Sequence, residues 1–181
     1  MEPKRAAVVS LELLLDADSE ARIRAEWRAL ADAGLSSLAA HTSPSNRPHI
    51  TLVVRSSIRP LGPSELGAIV LPIALELGAP ILFGAGDRRV LARSVVPTAE
   101  LLELHAALHT LAGGDAADAP HTRPGEWTPH ITLARRIRVD TIPQALRIVD
   151  GAHAAPATGP TEATSLRRWD AASATVTNLL G

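Results

Sequence analysis

The pentapeptide Pro-His-Ile-Thr-Leu occurs twice in the chain, and the two copies stand 81 positions apart. Each copy supplies one imidazole and one hydroxyl, from His49 and Thr51 in the first and from His130 and Thr132 in the second. Histidine has an ordinary pKa of about 6.5, so either imidazole can accept or donate a proton near neutral pH. Two such groups on opposite sides of a phosphorus atom could activate a nucleophile and protonate the departing oxygen, while the hydroxyls bind phosphoryl oxygens. These residue types favour acid–base cleavage of a phosphodiester without a metal.

Both copies of the motif have the pattern of a β-strand. Alternate side chains of a strand share one face and lie about 6.6 Å apart, so His49 and Thr51 point one way and Ile50 points the other. The same alternation in the second copy separates His130 from Ile131. We expect each half of the chain to present one His-x-Thr pair from a rigid strand. If the halves are related by a pseudo-twofold axis, the two pairs face each other across a cleft.

The elements around these strands mix helices and strands, without the regular β-α-β alternation of a doubly wound sheet. One helix is predicted to begin at a cap formed by Asp18 or Ser19. A second helix is predicted from a cap at Thr98 to Leu111, with leucines along one face. Residues 35–40 have the apolar character of a short strand. The pattern predicts an α+β protein.

At His49-Ile50-Thr51 and His130-Ile131-Thr132 the sequence resembles the 2H phosphoesterase superfamily and, within it, the bacterial 2′-5′ RNA ligase-like branch. The hallmark of that superfamily is a pair of His-x-Thr/Ser motifs. The resemblance covers most of the chain, because Phe83–Val96 and the helix Glu100–Leu111 are similar to the segment that leads into the family's second motif. It implies a bilobal, pseudo-twofold α+β fold in which two antiparallel sheets line a central groove and the helices lie outside.

The resemblance also implies an activity. Family members typically hydrolyse 2′,3′-cyclic phosphates or related cyclic phosphodiesters, or open and seal 2′-5′ linkages in RNA, without a metal or another cofactor. His49 and His130 would be the acid–base pair, and Thr51 and Thr132 would bind phosphate. For hydrolysis of a cyclic phosphate, we expect His130 to act as the base toward water and His49 to act as the acid. The expected ligand is an RNA terminus or a small cyclic phosphodiester or nucleotide.

Four further residues are candidates for substrate binding. Strand alternation places Arg47 on the face of His49, where it could contact a phosphate. It places Arg135 on the face opposite the second motif's histidine and threonine, unless the strand bulges or ends there. Family members that hold a nucleobase often stack it on an aromatic ring, and the aromatic candidates here are Phe83 and Trp127. A place in the core is the alternative for each ring.

Composition narrows the function classes. The length fits one domain, residues 1–181, with two lobes that each supply one motif. The chain has 18 Lys and Arg against 19 Asp and Glu, and this balance disfavours a protein that coats long nucleic acid. It has no cysteine, which excludes disulfides, thiolate metal sites and cysteine nucleophiles. No signal peptide or membrane span is predicted, so a cytoplasmic location is expected.

Two other functions stay open from the sequence. The first is a non-catalytic RNA- or nucleotide-binding protein on the same fold. The second is a metal-dependent hydrolase built around His105 and His109, which have the i, i+4 spacing of two metal ligands on a helix. That helix lacks the glutamate of a His-Glu-x-x-His motif, and a solvated helix edge is the simpler interpretation of the two histidines.

Overall fold

The computed structural model describes residues 8–113, 119–153 and 159–181. The strands and α-helices within these ranges are β1 Val9–Leu15, α1 Ala17–Asp32, β2 His49–Arg55, α2 Pro63–Leu66, β3 Ile73–Leu75, β4 Leu77–Phe83, β5 Arg88–Val95, α3 Ala99–Leu111, β6 His130–Arg138, α4 Ile142–His153, β7 Thr161–Asp170 and β8 Thr175–Leu180. The α+β class predicted from the sequence is confirmed. Among the described residues, no helix is long and apolar enough to cross a membrane.

The strands form one antiparallel sheet in the order β3-β7-β1-β2-β6-β5-β4, and β8 also pairs with β7. The sheet curls into a half-barrel with the helices outside. Strands β2 and β6, which carry the two motifs, are neighbours in its middle, with Ile50 opposite Ile131. The two sheets implied by the resemblance are therefore two halves of one continuous sheet, and the halves join where the motifs meet.

The core lies between the sheet and the helices. Each long helix turns an apolar stripe inward, and Ile23, Trp27 and Leu30 of α1 are buried at the spacing of one helical face. Leu101 and Leu108 of α3 are fully buried in the same way. α1 packs against β6 and α4, whereas α3 packs against β2, so each motif strand has a helix behind it.

The predicted cap of α3 is confirmed, whereas the predicted cap of α1 is wrong. Thr98 caps α3, and its hydroxyl accepts a hydrogen bond from the amide of Leu101 at 3.3 Å. The cap of α1 is Asp16, not Asp18 or Ser19, because the Asp16 carboxylate accepts a hydrogen bond from the Ser19 amide at 2.8 Å. An aspartate two positions earlier satisfies a free amide of the first turn, which leaves Asp18 inside the helix.

The strand predicted at residues 35–40 is also wrong. The segment contains a 3-10 turn at Leu38–Ala40. Ser37 stabilises this turn, because its hydroxyl accepts a hydrogen bond from the Ala39 amide at 3.1 Å and donates one to the Trp27 carbonyl at 2.5 Å. A serine that bonds locally and to a neighbouring helix offers the backbone an alternative to strand pairing.

Candidate active site

The two motifs meet at the centre of the sheet. The isoleucines of the two motifs face each other across β2 and β6, and both are fully buried. One antiparallel step to either side, the histidine of each motif lies opposite the threonine of the other. Continued by one step from the single pair Ile50–Ile131, this register sets His49 toward Thr132 and Thr51 toward His130. The two histidines are then diagonal neighbours on one face, a relation in which Cα atoms are about 7–8 Å apart. The charge of His49 also lowers the pKa of His130, which agrees with two imidazoles that lie near each other.

Each motif histidine is oriented by the same hydrogen bond. Nδ1 of His49 lies 2.6 Å from the Arg47 carbonyl oxygen, and Nδ1 of His130 lies 2.7 Å from the Thr128 carbonyl oxygen. Because a carbonyl oxygen only accepts, Nδ1 carries the proton and donates in both rings. The neutral imidazole therefore presents an unprotonated Nε2. In each motif a proline stands between the histidine and its acceptor, and it favours an extended residue before it.

The leucine that ends each pentapeptide, its fifth residue, forms a β-bulge. On β2, Leu52 is the extra residue between the pairs that Thr51 and Val53 make with β1. On β6, Leu133 is an extra residue in the pairing with β5, and a second irregularity follows at residues 135–136, between the pairs Leu91–Ala134 and Arg89–Ile137. Both leucines are fully buried. A bulge shifts the alternation of side chains along the rest of the strand, so the parity counted from the sequence no longer applies beyond it.

The bulge decides the position of Arg135. Counted without it, Arg135 falls on the core face, as the sequence predicted for an unbulged strand. With Leu133 inserted, Ala134 pairs with Leu91 and is buried, and Arg135 lies in the second irregularity, away from the buried face of Ile131. Arg135 is exposed, and its carbonyl accepts a hydrogen bond from the Ser36 hydroxyl. The bulge that the sequence analysis allowed for in this strand is therefore present, at Leu133.

Two tryptophans hold the motif strands from behind. The Trp27 indole N–H donates to the Thr132 carbonyl at 3.0 Å, and the Trp127 indole N–H donates to the Thr51 carbonyl at 3.0 Å. Each motif threonine thus has its carbonyl fixed by an indole from a distant part of the chain. The motif pattern does not indicate Trp27, because only the folded chain brings α1 against β6.

Glu12 is a second residue that the motif pattern did not indicate. One of its carboxylate oxygens, Oε1, lies 3.8 Å from Nε2 of His49 and accepts a hydrogen bond from Ser10 at 2.6 Å. The other, Oε2, is held by Arg167 through Nε at 2.8 Å and Nη2 at 2.7 Å. Burial raises the pKa of Glu12, but the charges of His49 and Arg167 and these hydrogen bonds outweigh burial and lower the pKa below its ordinary value. Glu12 is therefore a buried carboxylate in its charged form beside the first histidine.

His130 has a different environment. Its ring contacts the Phe83 ring, with centroids 4.6 Å apart at an angle of 47°. Burial lowers the pKa of His130 below its ordinary value, because a buried imidazolium loses hydration. The hydrogen bond to Thr128 opposes this shift, and the charges of His49 and His121 add to it. The neutral form with a free Nε2 is the favoured state of this ring.

A cavity of about 760 Å³ lies next to the end of β1, and its described lining includes neither motif histidine. Its lining includes Leu14, which pairs with His49, and the side of β7 that carries Ser165 and Arg167. Arg47 also lines it, as strand alternation predicts for the face of His49. Its guanidinium pairs with Glu20 of α1 at 2.5 Å, so this cation is already partly neutralised.

The sequence of the chain is similar to that of a known protein family. A sequence profile of the 2′-5′ RNA ligase superfamily matches residues 19–179. The chain belongs to this superfamily. The resemblance to 2H phosphoesterases drawn from the two motifs is thereby confirmed.

Two solved structures of Kluyveromyces marxianus Usb1 are similar to this superfamily member, one of them described as a complex with uridine monophosphate. Each is 12% identical to this chain. The first match covers 98% of this chain and 99% of that one with a TM-score of 0.46. The second covers 96% and 98% with a TM-score of 0.45. No curated protein sequence matches the chain.

The Trp127 ring packs against the protein core. It stacks on His105 with centroids 4.0 Å apart and an angle of 4°, in addition to its bond to Thr51. His105 and His109 are buried, which contradicts a solvated helix edge. Their Nε2 atoms contact carbonyl oxygens, of Thr122 at 2.9 Å and of Leu52 at 3.2 Å. Among the described residues, no group of three or more potential ligands could hold a metal ion.

Proposed function

We propose that the protein is a metal-independent phosphodiesterase that acts on 2′,3′-cyclic phosphates or on 2′-5′ linked RNA and nucleotides by two-histidine acid–base catalysis. One observation carries the proposal. His49 and His130 are diagonal neighbours on one face of the sheet, each with Nδ1 bound to a carbonyl and Nε2 available for the substrate. Membership of the 2′-5′ RNA ligase superfamily supports the same class of reaction.

The hydrolytic step needs one base and one acid. A water oxygen attacks phosphorus while Nε2 of His130 takes the water proton. The bond from phosphorus to the departing ribose oxygen breaks, and the proton on Nε2 of His49 passes to that oxygen. The products are a phosphomonoester and a free hydroxyl. His130 leaves the step protonated and His49 neutral, and exchange with solvent restores both rings.

The threonines complete the phosphate site. In the cross-strand register Thr51 lies beside His130 and Thr132 beside His49, so each hydroxyl can donate to a non-bridging oxygen of the phosphate between the two rings. The carbonyls of both threonines are fixed by indole N–H groups, which restricts motion of the strand at these positions. Donors that are already oriented need no reorganisation as charge develops on the phosphoryl oxygens.

The residues around His130 differ from those on the His49 side of the groove. Phe83 flanks His130 and is the ring best placed to stack a base. The cavity next to the end of β1 can hold the group attached on the other side of the phosphorus. Arg47 on the cavity rim and Arg135 beyond the bulge are the candidate contacts for further phosphates. For Trp127 we propose an indirect role in substrate binding, through the Thr51 carbonyl.

The test follows the opening of a 2′,3′-cyclic nucleotide and of a 2′-5′ linked dinucleotide by phosphorus NMR in the presence of EDTA. Wild type should turn over at least one of them. His49→Ala and His130→Ala should each lower kcat/KM by about 10²–10⁴-fold while substrate still binds. His41→Ala is the matched control, because His41 is exposed and lies outside the motifs.

Two results would reject the proposal. Unchanged turnover in both motif variants would exclude acid–base catalysis by these histidines. Binding without turnover of any cyclic phosphate or 2′-5′ linkage would favour the alternative, an RNA- or nucleotide-binding protein on this fold.

A further inference from the structure

The two halves of the groove match at the motifs but differ on the strands next to them. On β1, Glu12 is the residue paired with Thr51. On β5, Ala92 is the residue paired with Thr132. These two positions are equivalent, since each lies opposite a motif threonine on the outer neighbour of the motif strand. A carboxylate in one half is therefore replaced by a methyl group in the other.

The carboxylate is built into the first half. Glu12 is only 4% exposed, and its oxygens are held by Ser10 and Arg167. Arg167 is equally buried and turns two nitrogen atoms to the same oxygen, Oε2. This fixes Oε1 as the oxygen that faces Nε2 of His49 at 3.8 Å. That separation is too long for a hydrogen bond but short enough for strong attraction to a protonated ring.

The surroundings of His130 favour its neutral imidazole, in contrast to the carboxylate beside His49. Within the described part of the chain, His130 has no ion pair with a carboxylate, and the Phe83 ring lies against it. The charged groups that face His49 are Glu12 from β1, Arg167 behind it on β7, and His130 from β6. Arg47, on the same segment as His49, directs its guanidinium to Glu20 instead. One proton shared by the two rings is thus attracted to the first.

We infer that Glu12 is a positioning residue that keeps the catalytic proton on Nε2 of His49, so that His49 is the acid and His130 the base when a cyclic phosphate is hydrolysed. This rests on the proposed function. Glu12 touches no reacting atom and acts through His49. Arg167 limits its effect, because the arginine competes with the imidazolium for the same carboxylate.

The first test compares pH profiles of kcat/KM for a 2′,3′-cyclic nucleotide. Glu12→Gln keeps the shape of the side chain and removes the charge, so the alkaline limb should move to lower pH. The rate above that limb should fall about tenfold, with little change below it. Arg167→Gln removes the competing cation, so the alkaline limb should move to higher pH. A merely structural role would lower the rate in both variants and leave both limbs where they were.

Glu26→Gln is the matched control. Glu26 is also a buried carboxylate paired with a buried arginine, Arg93 at 2.9 Å, but its ion-pair partners, Arg93 and His153, are not motif histidines. It should lose stability and keep the wild-type pH profile. A shift of the alkaline limb in Glu26→Gln equal to that in Glu12→Gln would overturn the inference.

A second measurement does not depend on turnover. Long-range ¹H–¹⁵N spectra of the imidazoles report which ring nitrogens carry protons in the free protein. His49 should lose its Nε2 proton at lower pH in Glu12→Gln than in wild type, and at higher pH in Arg167→Gln. If these shifts occur but no cyclic phosphate is hydrolysed, the proposed function fails and the role of Glu12 stands. If His49 titrates identically in all three proteins, the role of Glu12 is wrong whatever the activity.

Discussion

Ile50 and Ile131 face each other across β2 and β6, and this pair lies at the centre of the approximate twofold symmetry of the site. Their side chains point into the core, so the flanking residues of both motifs point into the groove. The register that pairs the isoleucines also sets each histidine beside the threonine of the other motif. The proposed catalytic face thus lies at one contact between the two halves of the sheet.

The first prediction concerns the threonine hydroxyls. Thr51→Val and Thr132→Val keep the branched shape of the side chain and remove the donor to the phosphoryl oxygens. Each should lower kcat by about 10²–10³-fold, by analogy with the loss of one oxyanion-hole donor. Steady-state kinetics on the cyclic nucleotide measure this. Thr128→Val is the control, since the exposed Thr128 contributes its carbonyl to His130 and should keep wild-type kcat.

The second prediction concerns the two indole N–H groups. Trp27→Phe and Trp127→Phe each leave a motif carbonyl without its donor while an aromatic ring remains. We expect each variant to lose about 1–3 kcal/mol in free energy of unfolding, measured by urea titration. The kcat should fall as well, because the threonine of the affected strand is less firmly held. Unchanged stability in both variants would mean that the indoles only fill space.

The sequence indicates the motif residues of the site but not the residues that lie beside them in the fold. The residues proposed as catalytic can be selected from the sequence, because a repeated pentapeptide in a strand determines which side chains share a face. Glu12 and Arg167 do not follow, since they stand 155 positions apart and meet only when β1 pairs with β7. A local pattern carries no information on such a pairing.

The position of Arg135 does not follow from the sequence for a different reason. The bulge at Leu133 changes the parity of the strand, and a bulged leucine looks the same in sequence as a regular one. Residues 35–40 do not form the strand that their apolar residues predict, because Ser37 bonds to the backbone of α1 and of the next turn. At residues 35–40 a tertiary contact thus outweighs local propensity.

The third prediction tests the metal alternative. His105→Phe retains an aromatic ring against Trp127 and removes the hydrogen bond to the Thr122 carbonyl. It should destabilise the protein by about 1–3 kcal/mol, because a buried acceptor loses its donor. Thermal unfolding of wild type should be the same in EDTA and in zinc chloride. A zinc-dependent rise in melting temperature that His105→Phe abolishes would instead indicate a metal site on α3.

The fourth prediction is a pH dependence of stability. The pKa of Glu12 is lowered on folding from its ordinary value of 4.5, so the folded protein binds fewer protons than the unfolded chain below that pH. Its stabilising contribution is complete above pH 4.5 and is lost as the pH falls through the folded-state pKa. Glu12→Gln should lose on the order of 3 kcal/mol at pH 7 and should depend less steeply on pH in acid. Urea titrations between pH 7 and 3 measure both effects, and parallel curves for the two proteins would contradict the prediction.

The fifth prediction concerns Phe83, whose ring covers His130. Burial lowers the pKa of His130, so the base stays unprotonated to a lower pH than a solvated imidazole would. Phe83→Ala admits water to the ring, and the pKa should rise toward its ordinary value. The acid limb of kcat/KM, which reports protonation of the base in the free enzyme, should then move to higher pH. Activity near pH 5 should fall more than activity near pH 8.

Phe83→Ala should also raise KM for a nucleotide more than for a cyclic phosphodiester without a base, because only the nucleotide loses a stacking surface worth about 1–3 kcal/mol. Leu82→Ala is the matched control, since Leu82 is the neighbour of Phe83 on β4 and is 42% exposed on the other face of the strand. It should change neither the acid limb nor the difference between the two substrates. If Phe83→Ala raises both KM values equally and leaves the acid limb in place, the ring neither shields His130 nor binds a base, and recognition must come from the cavity on the His49 side.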